Sequence, residues 1–263
     1  MNDLDNGAHE PLEPTVDLHA FVVRGMPEIR CGADLAALIH DALTSAGRHI
    51  EPGDVFVVAQ KIVSKAEGAV VRLADVMPSP LAVRWAATHG KDARMVEVVL
   101  RESRRVVRMD RGVLIAETQH GFVCANAGVD ASNIESGFVT VLPEDPDASA
   151  ERLRTALSAA WKLPLAVIVS DSFGRPWREG VVNVALGVAG LQPLVDYRGT
   201  VDSHGRALTS TVMALADELA SAAEIVTRKS ARTPVAILRG AAEWIGTGTG
   251  RMLVRGADRD MFR

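Results

Sequence analysis

The run Leu165-Ala166-Val167-Ile168-Val169 passes without transition into Ser170, Asp171 and Ser172. Consecutive apolar residues with no polar alternation describe a strand covered on both faces, because neither side of the pleat carries a group suited to water. Such a strand needs other elements packed above and below it, which excludes a simple one-faced sheet. Its exit carries a carboxylate, and carboxylates at the carboxyl ends of buried strands can hold a metal or face a ligand crevice. A polar loop is expected next, with a bend at Gly174 and two guanidinium forks, Arg175 and Arg178, suited to phosphate or carboxylate. The stretch reads as a site for an anionic substrate, with or without a metal.

Other segments supply the layers. A strand is expected at His19–Val23, and a helix capped by Asp34 runs to Ala46 before Gly47. Val55–Ala59 is a strong strand after the Pro52-Gly53-Asp54 turn, and Pro80–His89 reads as a helix stopped by Gly90. Strand-like runs follow at Met95–Leu100, Val106–Met109 and Val113–Glu117. An acidic, proline-broken loop at Glu144–Asp147 precedes a helix over Ser149–Trp161. Gly180–Gly190 is rich in Gly and Ala. Val212–Lys229 is an amphipathic helix, with Leu215, Leu219, Ala223 and Val226 on the apolar face and Glu224 and Arg228 on the other. Pro234–Leu238 is a last strand. Strands and helices mix without regular alternation, so the expected class is α+β (mixed α/β) rather than a Rossmann or barrel array.

The chain has 263 residues, 48% of them hydrophobic, enough for a large core. A net charge of −4 argues against nucleic-acid binding through bulk charge, so phosphate recognition must be local. Cys31 and Cys124 form no metal-type pair, which fits a reduced, cytoplasmic protein. No membrane span is expected: the longest weakly polar run, Val181–Val195, is broken by Asn183, Gln192 and Pro193. Residues 1–16, acidic and proline-bearing, are expected to form a disordered tail rather than a signal peptide, leaving 17–263 as the domain.

Four polar segments can carry chemistry. GDVFVVAQKIVSKAEG delivers Gln60, Lys61, Ser64 and Lys65 at a strand exit, in a chain with five lysines against 24 arginines. A compact ammonium suits phosphate, although lysines four apart also fit a solvated helix face. HGFVCANAGVDASNI places Asp130, Ser132 and Asn133 in a small-residue loop, which a pure turn would also explain. The third is the Asp171 stretch, whose plainer reading is an aspartate capping a turn beside surface arginines. In ADELASAAEIVTRK, periodicity alone makes Glu224 and Arg228 an i,i+4 ion pair on a solvated face. Gly246–Gly250, GTGTG, lacks the Walker A spacing and reads as a flexible turn. Arg101–Arg111 is diluted by Glu102 and Asp110 and reads as a solvated strand face, with RNA binding a minor alternative. The histidines show no zinc spacing, His120 reads as structural, and there is no Gly-x-Ser-x-Gly nucleophile signature.

Taken together, GMPEI, GDVFVVAQKIVSKAEG, ANAGVDASN, VIVSDSFGRPWREG, ADELASAAEIVTRK and PVAILRG resemble the coenzyme F420-0:L-glutamate ligases, also called F420:gamma-glutamyl ligases. The resemblance runs from about Val22 to Arg263. It implies a compact α+β, F420:gamma-glutamyl ligase-like fold, not P-loop-like, and a homodimer with the site near the subunit boundary. It implies an enzyme that joins L-glutamate to the carboxylate of the deazaflavin precursor F420-0, using GTP and Mg²⁺ or Mn²⁺, with K⁺ as an additional candidate. Asp130 and Asp171 would be catalytic through one metal ion, and Ser172 and Glu224 would hold a second. Met26, Pro27, Glu28, Ile29, Lys65, Asn133 and the segment from Ala222 to Lys229 would touch the nucleotide. Gln60 would do so where other members can carry Ser. Arg175 and Arg178 match the family's FGRPWR loop and are assigned to substrate. This replaces the solvated-face reading of Glu224. Some relatives carry a further nitroreductase-like domain, which is not expected here.

Two other readings use the same residues. A metal-dependent phosphohydrolase would turn the aspartates to activating water, and a GTP-binding module would bind without turnover.

Overall fold

The computed structural model describes residues 17–261, so the expected tail at 1–16 lies outside the described residues. From the N-terminal side the elements are β1 (His19–Val22), α1 (Leu35–Ser45), β2 (Val55–Ala59), α2 (Gln60–Glu67), β3 (Val70–Arg72), α3 (Pro80–His89) and α4 (Ala93–Arg101). There follow β4 (Ser103–Asp110), β5 (Val113–Thr118), β6 (Val123–Ala125), β7 (Phe138–Thr140) and α5 (Pro146–Trp161). The remainder comprises β8 (Ala166–Arg175), β9 (Arg178–Ala189), β10 (Val195–Asp196), β11 (Val212–Met213), α6 (Leu215–Thr227) and β12 (Val235–Arg239).

The main sheet has the order β1-β12-β2-β8-β9, and only β2 and β8 are parallel. Alternate residues of its central strands enter opposite cores, as the pleat requires. Phe56, Val58, Val167 and Val169 pack with Ile39, Leu43, Leu153 and Leu157 of α1 and α5 on one face. Val55, Val57 and Ile168 pack with Leu215, Leu219 and Ala220 of α6 on the other. The apolar run before Ser170 is therefore a strand buried on both sides. A smaller region, built from sheets β3-β7 and β4-β5-β6 with α3 and α4, has its own core around Leu114, Val98 and Val139. The whole is mixed α/β.

Several local expectations change. Met95–Leu100 is helical: Asp92 caps α4 by accepting from the Arg94 N–H, and Val96 and Val99 are buried at helical spacing. The β-branched residues there favour a strand, but the cap and the core contact prevail. α5 starts at Pro146 rather than Ser149, because Asp145 caps it and proline fits the first turn. α6 covers only Leu215–Thr227; Val212 and Met213 pair with Asp196 and Val195, and Arg228 leaves the helix at φ 53°. VIVSDSFGRPWREG is a hairpin, not a strand followed by a loop. β8 continues to Arg175, Pro176 and Trp177 make the turn, and β9 includes most of the Gly/Ala-rich segment. Gly174 sits within the ladder, beside a register shift. GTGTG is packed rather than free: a Cβ on Gly250 would lie 2.3 Å from the Leu186 carbonyl oxygen.

Candidate functional site

The parallel pair β2 and β8 ends in register, Ala59 beside Ser170, and there the two chains diverge. β2 turns directly into α2, while β8 runs on through Asp171 and Ser172. Their divergence opens a cleft of about 1530 Å³ walled by α2, the 26–29 segment, the 130–135 loop and the C-terminal half of α6.

Because α2 begins at Gln60, the residues expected at a strand exit sit on a helix, and their four-residue spacing stacks them in pairs. Gln60 accepts from the Ser64 hydroxyl at 2.8 Å, both buried. Lys61 and Lys65 each reach across the cleft rather than into water. The Lys65 ammonium lies 2.5 Å from Glu28 Oε1 and 2.6 Å from the main-chain oxygen of Asn133. Three residues expected at the nucleotide thus meet at one charge. Lys61 contacts Asp130 Oδ2 at 2.7 Å and the Ser132 hydroxyl at 2.5 Å.

The loop before β7 is more than a turn. Asp130 pairs with Thr140 through both main-chain groups, which anchors its carboxylate against the cleft. Asn126, Ala127 and Asn133 all adopt left-handed backbone, so the loop is held by surrounding contacts rather than by local preference. Burial works to raise the Asp130 carboxyl, but the Lys61 ammonium and the Ser132 N–H outweigh it and hold it below the ordinary carboxylate range.

Asp171 behaves oppositely. Burial pushes its carboxyl up to about 6, against the pull of the Ser172 N–H and the charges of Lys229 and Lys61. No Lys or Arg is in ion-pair contact with it among the described residues. Burial, together with that carboxylate, pushes the neighbouring Cys124 thiol up to about 12, so this cysteine is a protonated packing residue and not a nucleophile.

Glu224 takes no part in an ion pair with Arg228. Its Oε2 accepts from Asn183 Nδ2 at 3.1 Å and from the Thr227 hydroxyl at 3.0 Å, while the Ser172 hydroxyl donates to Asn183 Oδ1 at 2.7 Å. Asn183, on β9 opposite Ser172, therefore ties the two expected ligands of a second ion together. Asn183 was absent from the expected site, Lys61 was named there only as a lysine suited to phosphate, and Thr227 only as part of the Ala222–Lys229 segment. Counting back from the hairpin turn does not find Asn183, because the ladder shifts between Gly174 and Arg175.

The cleft gathers Met26, Pro27, Glu28, Ile29, Gln60, Lys65, Asp130, Asn133, Asp171, Ser172, Glu224 and Lys229. Ala222 is not among its lining residues and packs instead against the α6 core. Arg175 and Arg178 stand on the hairpin end away from the cleft; an Arg175 Nη2 donates to the Glu179 carbonyl oxygen. His120 is structural, its Nε2 lying 3.0 Å from the carbonyl oxygens of Pro143 and Glu144.

Could these residues hold a metal? Among the described residues, no three His, Cys, Asp or Glu groups converge on one ion position. An all-protein cage is therefore not built. The four expected ligands that line the cleft, the carboxylates of Asp130, Asp171 and Glu224 and the Ser172 hydroxyl, are hard oxygens. They fit a cation such as Mg²⁺, which takes one or two carboxylates and completes its shell with phosphate and water oxygens. A half-buried carboxylate with no Lys or Arg in ion-pair contact among the described residues, Asp171, is the observation that favours such an ion.

Fold and cleft define a mixed α/β protein in which carboxylates and ammonium groups face each other at the ends of a parallel strand pair. The family model of the F420-0:Gamma-glutamyl ligases matches residues 25–240, and the chain belongs to that family of ligases. It is 46% identical to the Coenzyme F420:L-glutamate ligase of Methanothermobacter thermautotrophicus, over 92% of this chain and 97% of the relative. Identity is also 46% to the enzyme of that name from Methanopyrus kandleri, over 90% and 94%. For the Archaeoglobus fulgidus protein of the same name it is 38%, over 94% and 96%.

Proposed function

We propose that the chain is a GTP-dependent ligase that joins L-glutamate to the carboxylate of F420-0 in coenzyme F420 biosynthesis, and that it can add further gamma-linked glutamates. The family membership supports the ligation, and the meeting of Glu28 and Asn133 at the Lys65 ammonium carries the assignment of the nucleotide to this cleft. Lys65 presents a desolvated charge to the nucleotide phosphates, with Met26, Pro27, Ile29 and Gln60 around it and Lys229 at the rim. Asp130 and Asp171 would hold one divalent ion, Ser172 and Glu224 a second. When bound, such ions neutralise charge on the phosphate oxygens during transfer. K⁺ is a further candidate in the same oxygen-rich cleft.

The chemistry follows from the substrate. A free carboxylate is a poor acyl donor because its leaving oxygen is strongly basic. Transfer of the γ-phosphoryl group of GTP to that carboxylate gives an acyl phosphate and GDP. The amine of glutamate then attacks the acyl carbon, and phosphate leaves with the bridging oxygen. The protein's own groups orient the two substrates and exclude water. No protein nucleophile is required, which agrees with the protonated Cys124. Arg175 and Arg178 stay assigned to substrate only if the hairpin end closes a site with a second subunit, as a homodimer would allow. No helix among the described residues is long and apolar enough to cross a membrane, in keeping with a cytoplasmic enzyme.

Incubation with GTP, Mn²⁺, L-glutamate and F420-0, followed by mass spectrometry of the deazaflavin, tests the reading. Product heavier by glutamyl units is expected. Phosphate release without an amide would support the phosphohydrolase, and GTP binding without turnover would support a binding module.

A further inference from the structure

Lys61 is not needed to explain the nucleotide contacts, yet it is placed as firmly as Lys65. It projects from the second position of α2, and its ammonium touches both Asp130 Oδ2, at 2.7 Å, and the Ser132 hydroxyl, at 2.5 Å. Ser132 in turn donates its N–H and its hydroxyl to the same carboxylate. The Lys61 side chain is 18% exposed and that of Asp130 35%, so water reaches the pair mainly from the carboxylate side. The stem rises from a helix anchored by the buried Gln60, Ile62 and Ser64, which leaves the ammonium little choice of position. A lysine so fixed against a carboxylate occupies the place where a cation bound to that carboxylate would act.

We propose that Lys61 is a resident counter-cation of the cleft: it holds Asp130 in the metal-free enzyme, competes with the divalent ion for it, and is released toward the anionic substrate when that ion binds. The inference rests on the reading of Asp130 as a metal ligand. It gives Lys61 a positioning role distinct from that of Lys65, whose partners are Glu28 and Asn133. An ammonium shared between carboxylate and hydroxyl keeps the loop formed before substrate arrives. It also lowers the net negative charge that Asp130, Asp171 and Glu224 would otherwise present to a triphosphate.

The test is Mn²⁺ binding to the purified protein without nucleotide, read from the electron paramagnetic resonance of free Mn²⁺. Lys61→Gln is expected to bind Mn²⁺ about two- to fivefold more tightly than wild type, the ion no longer having to displace an ammonium. Lys61→Met, which keeps the apolar stem, gives the same comparison if the glutamine variant does not fold. Asp130→Asn should bind Mn²⁺ more weakly. A purely structural lysine would not tighten metal binding when removed. Unchanged or weaker binding in the Lys61 variants, with weaker binding in Asp130→Asn, overturns the role of Lys61 alone. Unchanged binding in Asp130→Asn removes the Asp130 ligand itself, and the proposal with it.

Discussion

The ammonium of Lys65 lies 2.6 Å from the main-chain oxygen of Asn133, joining residues 68 positions apart across the mouth of the cleft. The same charge holds Glu28, so one side chain on α2 fixes two separate walls. This cross-link explains how a nearly buried lysine is tolerated in the cleft: its charge is met by a carboxylate and a carbonyl oxygen rather than by water.

Replacing Lys65 with Gln should therefore raise the dissociation constant for GTP by about 10- to 100-fold, the cost of one charge-assisted hydrogen-bond set. Calorimetric titration of nucleotide without acceptor checks it, and the loss should exceed that of Gln60→Ser, which keeps a short polar group.

Under the proposed mechanism, Asp171→Asn should abolish turnover while leaving the fold intact, because it would remove an anionic ligand of the ion that assists phosphoryl transfer. Near wild-type turnover at saturating Mn²⁺ would contradict the role given to this residue.

The same variant makes a prediction about pH. In the metal-free folded protein the Asp171 carboxyl is raised from 3.8 to about 6 by burial. Between those values the folded state binds more protons than the unfolded, so this residue's contribution to stability is complete below 3.8 and is lost as pH rises through 6. Asp171→Asn should then be the more stable protein above that range, by up to about 3 kcal/mol, and should not lose stability there. Thermal melts in chelator across the window measure the difference.

Glu224→Gln should shift the metal concentration needed for activity upward. With no Arg228 partner, the residue has no surface ion pair whose loss could explain a change. A metal titration superimposable on wild type would limit Glu224 to its contacts with Asn183 and Thr227.

Much of the framework was legible. The apolar runs of β2, β8 and β12 are read correctly because residues buried on both faces leave no room for polar alternation. Asp34 and Gly90 mark helix ends by their own chemistry. α4 was missed because its β-branched residues imitate a strand, and the burial that decides the matter comes from α3 and the small sheet. In the site, residues adjacent in sequence were found together, while Asn183 depended on a hairpin register that an irregular ladder conceals. The Glu224 environment was hidden for a related reason: helical periodicity says which face a residue occupies, not what the neighbouring strand offers it.

Outside the cleft, Arg239 tests the packing. Its Nε and Nη2 donate to both oxygens of Asp54, a residue with no exposed surface, at 2.9 and 2.8 Å. Arg239→Leu should strand that buried carboxylate and cost about 3–5 kcal/mol of stability, seen as a large fall in the chemical-denaturation midpoint.

The central claim is that the cleft activates a carboxylate by phosphorylation before an amine attacks it. Precursor carrying ¹⁸O in that carboxylate, incubated with GTP, Mn²⁺ and L-glutamate, follows the oxygen directly. The account predicts ¹⁸O in inorganic phosphate, appearing in step with the amide. Unlabelled phosphate during productive ligation would mean that water, not the carboxylate, received the phosphoryl group, and would contradict it.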